Sequence, residues 1–318
     1  MKKIYYLFTI LTLMLTLIIS GCGEDEMYTH TTTREIFNFM TDSAGRDVVL
    51  EKKPERIVVT SASFLEPLHA VNGNIVGRPD SKTQMPDWAK DIDSIGQVYN
   101  VDVEKIIACN PDLVIINKGM NEKLLDVLDE NRIPALVLDM KSYSDVKHEL
   151  EVFGELTKNT DKANQIISEM DNKIKAIVDK VPKDKHRIAI LHSTAQGLSV
   201  QLDGSIAGNI SKMFGWENVA ANMTPLESNP DAAPYSLETL AEQNPEIIFV
   251  TSMGKIDEIK SNMQQNIETN PAWQTIGAIK NKQLYYLPQD LFLLSPGLRY
   301  PEAVENMAAL IYPNLFKK

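Results

Sequence analysis

The 318-residue chain has only two cysteines, few aromatic residues (7%) and no surplus of positive charge. Its 43 Asp and Glu outweigh 32 Lys and Arg, for a formal net charge of −11. Two cysteines cannot build a disulfide scaffold. The deficit of Lys and Arg excludes nucleic acid as a partner, because phosphate binding needs a positive excess. The short patterns that carry catalysis are also missing: GxxxxGK[ST], GxGxxG between strand and helix, GxSxG, HExxH and CxxC. His148-Glu149 opens like a zinc-protease motif, but Val152 stands where the second histidine belongs. With no nucleophile–base pairing and no metal-ligand spacing, the expectation is binding without reaction.

What is present is ordinary globular content, 43% hydrophobic and 24% charged, at a length that suits about two domains. The apolar run that stands out lies at the N-terminus. Lys2 and Lys3 precede Ile4 to Ile19, and Ser20-Gly21-Cys22 follow. A basic start, an apolar stretch and small residues before a cut describe a secretory signal. The run is marginal as a membrane span, which needs ~20 residues. Ile19-Ser20-Gly21-Cys22 resembles the bacterial lipobox, which implies cleavage before Cys22 and a lipid on its sulfur. Gly23 to Thr33 is polar and acidic and reads as a tether.

Beyond the tether, short apolar runs alternate with helical patterns, the order of α/β units. Strands are expected at Arg56–Thr60, Asn74–Gly77, Leu113–Ile116 and Ala135–Leu138, then at Arg187–Leu191, Leu198–Gln201, Glu246–Val250 and Leu284–Leu287. Between the sets, Ala163, Ile166, Ile167, Met170, Ile174, Ile177, Val178 and Val181 make one apolar stripe at helical spacing. The expected fold is therefore α/β, with two Rossmann-like lobes joined by one long backbone helix and a ligand cleft between them. The divisions are residues 1–21 (signal), 22–34 (lipidated tether), 35–143 (N-terminal lobe), 144–183 (connecting helical segment) and 184–318 (C-terminal lobe).

Each lobe repeats one segment. Asp102-Val103-Glu104 leads to Asn110-Pro111-Asp112, and Ser236-Leu237-Glu238 leads to Asn244-Pro245-Glu246; one interval separates both the glutamates and the prolines. Both read as a capped helix stopped before proline and followed by a buried strand. Ligands bind open α/β sheets beyond the C-terminal strand ends. That rule brings forward Ser61, Ser63, Arg78, Lys82, Tyr99, Asn117, Lys118, His192, Thr251, Ser252, Met253, Arg299 and Tyr300 as cleft candidates. His30 falls in the tether, while His69, His148 and His186 read as surface or satisfied residues. Cys109 reads as a small buried residue.

Pro54-Glu55-Arg56-Ile57-Val58-Val59, the paired Glu…Asn-Pro segments and Asn281-Lys282-Gln283-Leu284-Tyr285-Tyr286-Leu287 together resemble the helical-backbone substrate-binding lipoproteins of ABC importers for iron–siderophores, heme and cobalamin. The resemblance implies a permease and ATPase as partners, with Glu104 and Glu238 docking to permease arginines, and a lipid-anchored, extracytoplasmic location through Cys22. It implies a transported ligand rather than an intrinsic cofactor. Asp80-Ser81-Lys82, Ile95-Gly96-Gln97-Val98-Tyr99, Gly215-Trp216-Glu217-Asn218-Val219 and Tyr300-Pro301-Glu302-Ala303 are similar to Gram-positive heme-binding lipoproteins. Those hold heme iron with a methionine and a histidine; here Tyr99 and Met253 stand at about those places. Both are possible iron ligands, and His192 is an alternative from the second lobe. Lys82, Arg78 and Arg299 would pair with propionates. A ferric siderophore or cobalamin remains the alternative ligand; for a ferric siderophore, Arg78, Lys82 and Arg299 would meet its negative charge, with Trp88 and Tyr99 packing against it.

Overall fold

The computed structural model describes residues 36–81, 85–195 and 197–317. Cys22, His30 and Lys82 lie outside the described residues.

The N-terminal lobe starts with an antiparallel hairpin, β1 (Asn38–Thr41) and β2 (Asp47–Leu50). Its turn is fixed by Asp42, which pairs with Arg46 at 2.7 Å and accepts the Val137 N–H at 3.1 Å. The lobe's sheet contains β3 (Ile57–Val59), β4 (Ile75–Asp80), β5 (Asp93–Gln97), β6 (Asn100–Val101), β7 (Leu113–Asn117) and β8 (Ala135–Leu138). Their order is β6-β5-β4-β3-β7-β8, parallel throughout except for the β5–β6 hairpin. β3 and β7 are buried along their whole length, as strands covered on both faces must be. Pro79 falls within β4 where the register shifts between Arg78 and Asp80; an interior strand tolerates the missing donor at such a place. Helices α1 (Leu65–Ala70), α2 (Val103–Ala108) and α3 (Leu125–Glu130) cover the sheet.

Two helices follow, α4 (Tyr143–Thr157) and α5 (Thr160–Lys180). The apolar stripe read from the sequence lies on α5, and the 144–183 segment is a helical hairpin. Ser142 and Asp145 form a capping box at the start of α4, and Lys158, in the left-handed region at φ 60°, turns the chain into α5. The two helices approach closely because both contact residues are small: a Cβ on Gly154 would lie 2.7 Å from the Ala163 Cβ. Val152, Phe153, Leu156 and Ala163 pack into the N-terminal core. Val146, Leu150, Met170 and Ile174 pack into the C-terminal one. The hairpin thus belongs to both cores, and each fully buried apolar side chain contributes about 1.5–3 kcal/mol toward holding the lobes in place.

In the C-terminal lobe are β9 (Arg187–Thr194), β10 (Gly197–Gln201), β11 (Glu217–Asn218), β12 (Ala232–Pro234), β13 (Ile247–Ser252) and β14 (Leu284–Tyr286). The order is β12-β10-β9-β13-β14, with β11 beside the start of β9. β9, β13 and β14 are parallel, whereas β10 reverses on β9 and β12 on β10. The two lobes share the repeated helix-Pro-strand unit but not a full topology. The lobe's helices are α6 (Ile206–Phe214), α7 (Leu237–Gln243), α8 (Ile256–Thr269), α9 (Gly277–Lys280), α10 (Gln289–Phe292) and α11 (Tyr300–Ile311). Among the described residues, no helix is long and apolar enough to cross a membrane.

Candidate functional site

Parallel strands β3, β7 and β8 are neighbours and deliver their C-terminal ends to one place. Ser61, Ser63, Asn117, Lys118, Asp139 and Lys141 stand there, facing Asn209, Asn229, Asp231, Leu293 and Ser295 of the C-terminal lobe across a cavity of about 650 Å³. Ligand pockets commonly measure about 300–1,000 Å³. The Ser63 hydroxyl crosses between lobes to donate to the Ser295 carbonyl at 3.0 Å. Ser61 is fully buried and caps the short turn after β3.

Contacts between the lobes occur beyond both edges of this N-terminal strand order. At the β5–β6 edge, the hairpin turn presents Tyr99, and the Asn121 side chain holds that turn by donating to the Val98 carbonyl at 3.0 Å. Met253 follows the end of β13, its N–H donating to the Ser193 carbonyl at 3.0 Å. The Tyr99 hydroxyl donates to the Met253 sulfur at 3.5 Å, although Tyr99 remains 61% exposed. A phenol oxygen and a thioether sulfur, one from each lobe, therefore meet at a solvent-reached edge. At the opposite edge, after β8, the Lys141 ammonium pairs with Asp231 at 2.5 Å. Lys118, after β7, pairs within its own lobe with Asp139 at 3.8 Å.

Other sequence-derived candidates are placed differently. His192 is partly buried, its Nδ1 2.9 Å from the Thr251 hydroxyl, and burial pushes its pKa down. Thr251 also donates to the Leu191 carbonyl, and Ser252 receives a hydrogen bond from Gln289, so both are part of the β13 interior. The Arg78 guanidinium pairs with Asp80 at 2.8 Å and donates to the carbonyls of Ala89 and Lys90, leaving its side chain 11% exposed. Arg299 is held by Glu302 at 2.7 Å and Asp290 at 2.9 Å, a hydrogen-bonded pairing that raises its pKa. Neither arginine lines the large interlobe cavity. Tyr300 is fully buried in the C-terminal core. Trp88 stacks on His69 with centroids 3.9 Å apart.

Glu104 and Glu238 occupy the same position, the first turn of α2 and of α7. Both are exposed. The Asp102 carboxylate caps α2, accepting from Glu104 and Lys105, and the Ser236 hydroxyl caps α7, accepting from Thr239. Each cap aims its glutamate outward beside a helix N-terminus, where negative charge is favoured. The residues the sequence reading missed are Lys141 and Asp231. The strand-end rule applied to β8 reaches Lys141. Asp231 had no local signal, because it precedes a short strand of small residues, Ala232–Pro234.

Comparison with known proteins agrees with this architecture. A family model described as periplasmic binding protein matches residues 57–291. The chain is 26% identical over 320 residues to the uncharacterized ABC transporter substrate-binding lipoprotein YvrC of Bacillus subtilis, covering 96% of each. It is 24% identical over 261 residues to the high-affinity heme uptake system protein IsdE of Staphylococcus aureus, covering 81% of this chain and 87% of that one. The crystal structure of an ABC transporter substrate-binding protein from Listeria monocytogenes superimposes with a TM-score of 0.74 at 25% identity, covering 83% of this chain and 100% of that one.

Proposed function

The chain belongs to the periplasmic binding protein family, and from that premise we propose that it captures heme outside the cytoplasmic membrane and delivers it to an ABC importer. It is a binding component and not an enzyme. Lipid on Cys22 tethers it to the membrane, and Glu104 and Glu238 present one carboxylate from each lobe to arginines of the permease, which an ATPase drives. Paired charges of this kind steer encounter and fix orientation.

The observation that carries the choice of ligand is the Tyr99–Met253 contact. A porphyrin leaves iron two axial positions, one on each face, and Tyr and Met are both known to fill them. A siderophore that wraps its iron leaves none for protein side chains. Taking iron's bonds as similar to those of zinc, about 2.1 Å to oxygen and about 2.3 Å to sulfur, a trans pair would lie about 4.4 Å apart. The observed 3.5 Å is shorter than that, so the two groups would move apart by about 0.9 Å to seat iron between them, a small opening motion. The heme uptake named for the Staphylococcus aureus relative supports the same class. In a titration of the purified chain with hemin, the expected result is a saturable one-to-one Soret shift. The absence of any saturable change would overturn heme as the ligand and send the search to ferric siderophores, read by tryptophan quenching.

A further inference from the structure

We propose that the outer face of the β1–β2 hairpin is a membrane-contact surface, which seats the N-terminal lobe on the lipid bilayer to which Cys22 ties the chain. The proposal rests on the lipid anchor read above and is independent of the ligand. Its first observation is a break in pattern. An antiparallel pair packed on one side normally turns polar side chains to water on the other. Here Val48 and Leu50 face the N-terminal core, at 7% and 3% exposure. The opposite face carries Phe39 directly across from Val49, 58% and 46% exposed. Ile36, just before β1, is 58% exposed as well. Of the large hydrophobic side chains exposed among the described residues, these three fall on or beside one hairpin.

The second observation is where the chain enters. Residues 23–35 separate Cys22 from Ile36, so Ile36 lies within about 50 Å of the lipidated sulfur even at full extension, at about 3.3–3.6 Å per residue. Among the described residues, the hairpin is therefore the element tied most closely to the lipid. Thr41 and Asp47, the outward pair nearer the turn, are polar and hydrogen-bonded at 3.0 Å, so the apolar end is the one that meets the tether. Lys158 holds its ammonium 5.3 Å from the Phe37 ring centre, and the exposed Lys52 and Lys53 follow β2. Aromatic rings beside lysines suit the headgroup level of a bilayer, with rings toward the acyl chains and ammonium groups on phosphate. These cations act locally on a chain of net charge −11, because exposed charges are screened beyond about 8 Å. Asp47 and Glu51 border the patch and keep the contact shallow. A second copy of the chain is a poorer occupant, since three side chains fall far short of the ~800 Å² per partner of a stable interface. A body already held by its own lipid needs little more, because the second contact is intramolecular. The hairpin's turn is bonded to β8 and the loop after it, through Asp42 to Val137 and through the Ser43 hydroxyl, which accepts the Asp139 N–H at 3.1 Å. A seated hairpin thus fixes the tilt of its lobe.

The test places a spin label on the same face by Thr41→Cys and a control label by Leu315→Cys. Cys109, the free cysteine among the described residues, is buried. The control lies at the far end of α5: Lys158 precedes that helix, while Lys180, its last residue, stands 5.9 Å from the Phe316 ring centre. The 21 residues of α5 put its two ends about 30 Å apart. The lipidated chain in phosphatidylcholine–phosphatidylglycerol vesicles is compared with an unanchored chain that starts at residue 22 and carries Cys22→Ala. Electron paramagnetic resonance reads collisions of each label with a polar nickel chelate. On vesicles, collisions at Thr41→Cys are expected to fall about threefold or more and those at Leu315→Cys to change by less than about 1.5-fold. Phe39→Ser with Val49→Thr, both at exposed positions, is expected to restore the collisions while the lipid stays attached. Unchanged collisions at Thr41→Cys on vesicles, or protection that survives the double substitution, would overturn the contact and leave the anchor standing. Protection that grows with protein concentration in the unanchored chain would assign the patch to self-association instead. If mass spectrometry finds no lipid on Cys22, the anchor and the contact fall together.

Discussion

Glu149 lies on α4, one turn beyond the cavity-lining Asp145, yet it is fully enclosed. Neither of its carboxyl oxygens has a hydrogen-bond partner. Burial, with the Asp145 charge adding to it, raises its pKa well above 4.5. The folded state therefore keeps a proton that the unfolded state releases above pH 4.5, and stability falls as pH rises from there toward the folded value. Every pH unit above 4.5 at which the folded state still holds that proton costs about 1.36 kcal/mol. Glu149→Gln keeps the shape and the unmet hydrogen bonds but removes the ionisation. It is expected to stabilise the chain by up to about 3 kcal/mol at pH 7 and by almost nothing at pH 4. At about 2–4 °C per kcal/mol, the gain in Tm at pH 7 reaches roughly 10 °C. Thermal and urea unfolding at both pH values read this out. Equal displacement at pH 4 and pH 7, or a loss at pH 7, would refute a neutral, unpartnered carboxyl at this position.

Three further outcomes follow from the geometry. Arg78→Ala should lower stability by about 2 kcal/mol through its lost buried hydrogen bonds, and Arg299→Ala by about 1 kcal/mol. Neither should change hemin affinity more than about twofold, as measured by Soret titration. Gly154→Ala drives a methyl into Ala163 and should destabilise the chain by about 1–3 kcal/mol in chemical denaturation, because both helices are anchored in lobe cores. Reversing Glu104 and Glu238 to Lys should leave hemin binding intact and abolish uptake by the reconstituted importer, with each single reversal giving an intermediate rate.

Periodicity made much of the fold legible. Ala135–Leu138 is a strand over the expected residues, Leu113–Ile116 extends by one to Asn117, and the stripe from Ala163 to Ile177 lies on α5. Those elements are long or apolar enough for local pattern to decide. The hairpin β1–β2, β5 and β12 were not legible, because Asp93-Ser94-Ile95-Gly96-Gln97 and Ala232-Ala233-Pro234 carry no alternation and become strands only through their neighbours. α4 escaped notice as a separate helix, since a stripe read at helical spacing does not register the left-handed turn at Lys158. Strand ends put Asn117 and Lys118 at the end of β7 and Met253 just after β13. They could not say which arginines would be neutralised by near neighbours such as Asp80 or Glu302. Nor could they foresee Asp231, which reaches Lys141 across 90 residues of sequence.

The most direct measurement compares the absorption and electron paramagnetic resonance spectra of the hemin complexes of wild type, Tyr99→Phe and Met253→Leu. If one ligand comes from each lobe, each substitution alters the spectrum in its own way and weakens hemin. Spectra and affinities indistinguishable from wild type in both variants would contradict iron held between Tyr99 and Met253.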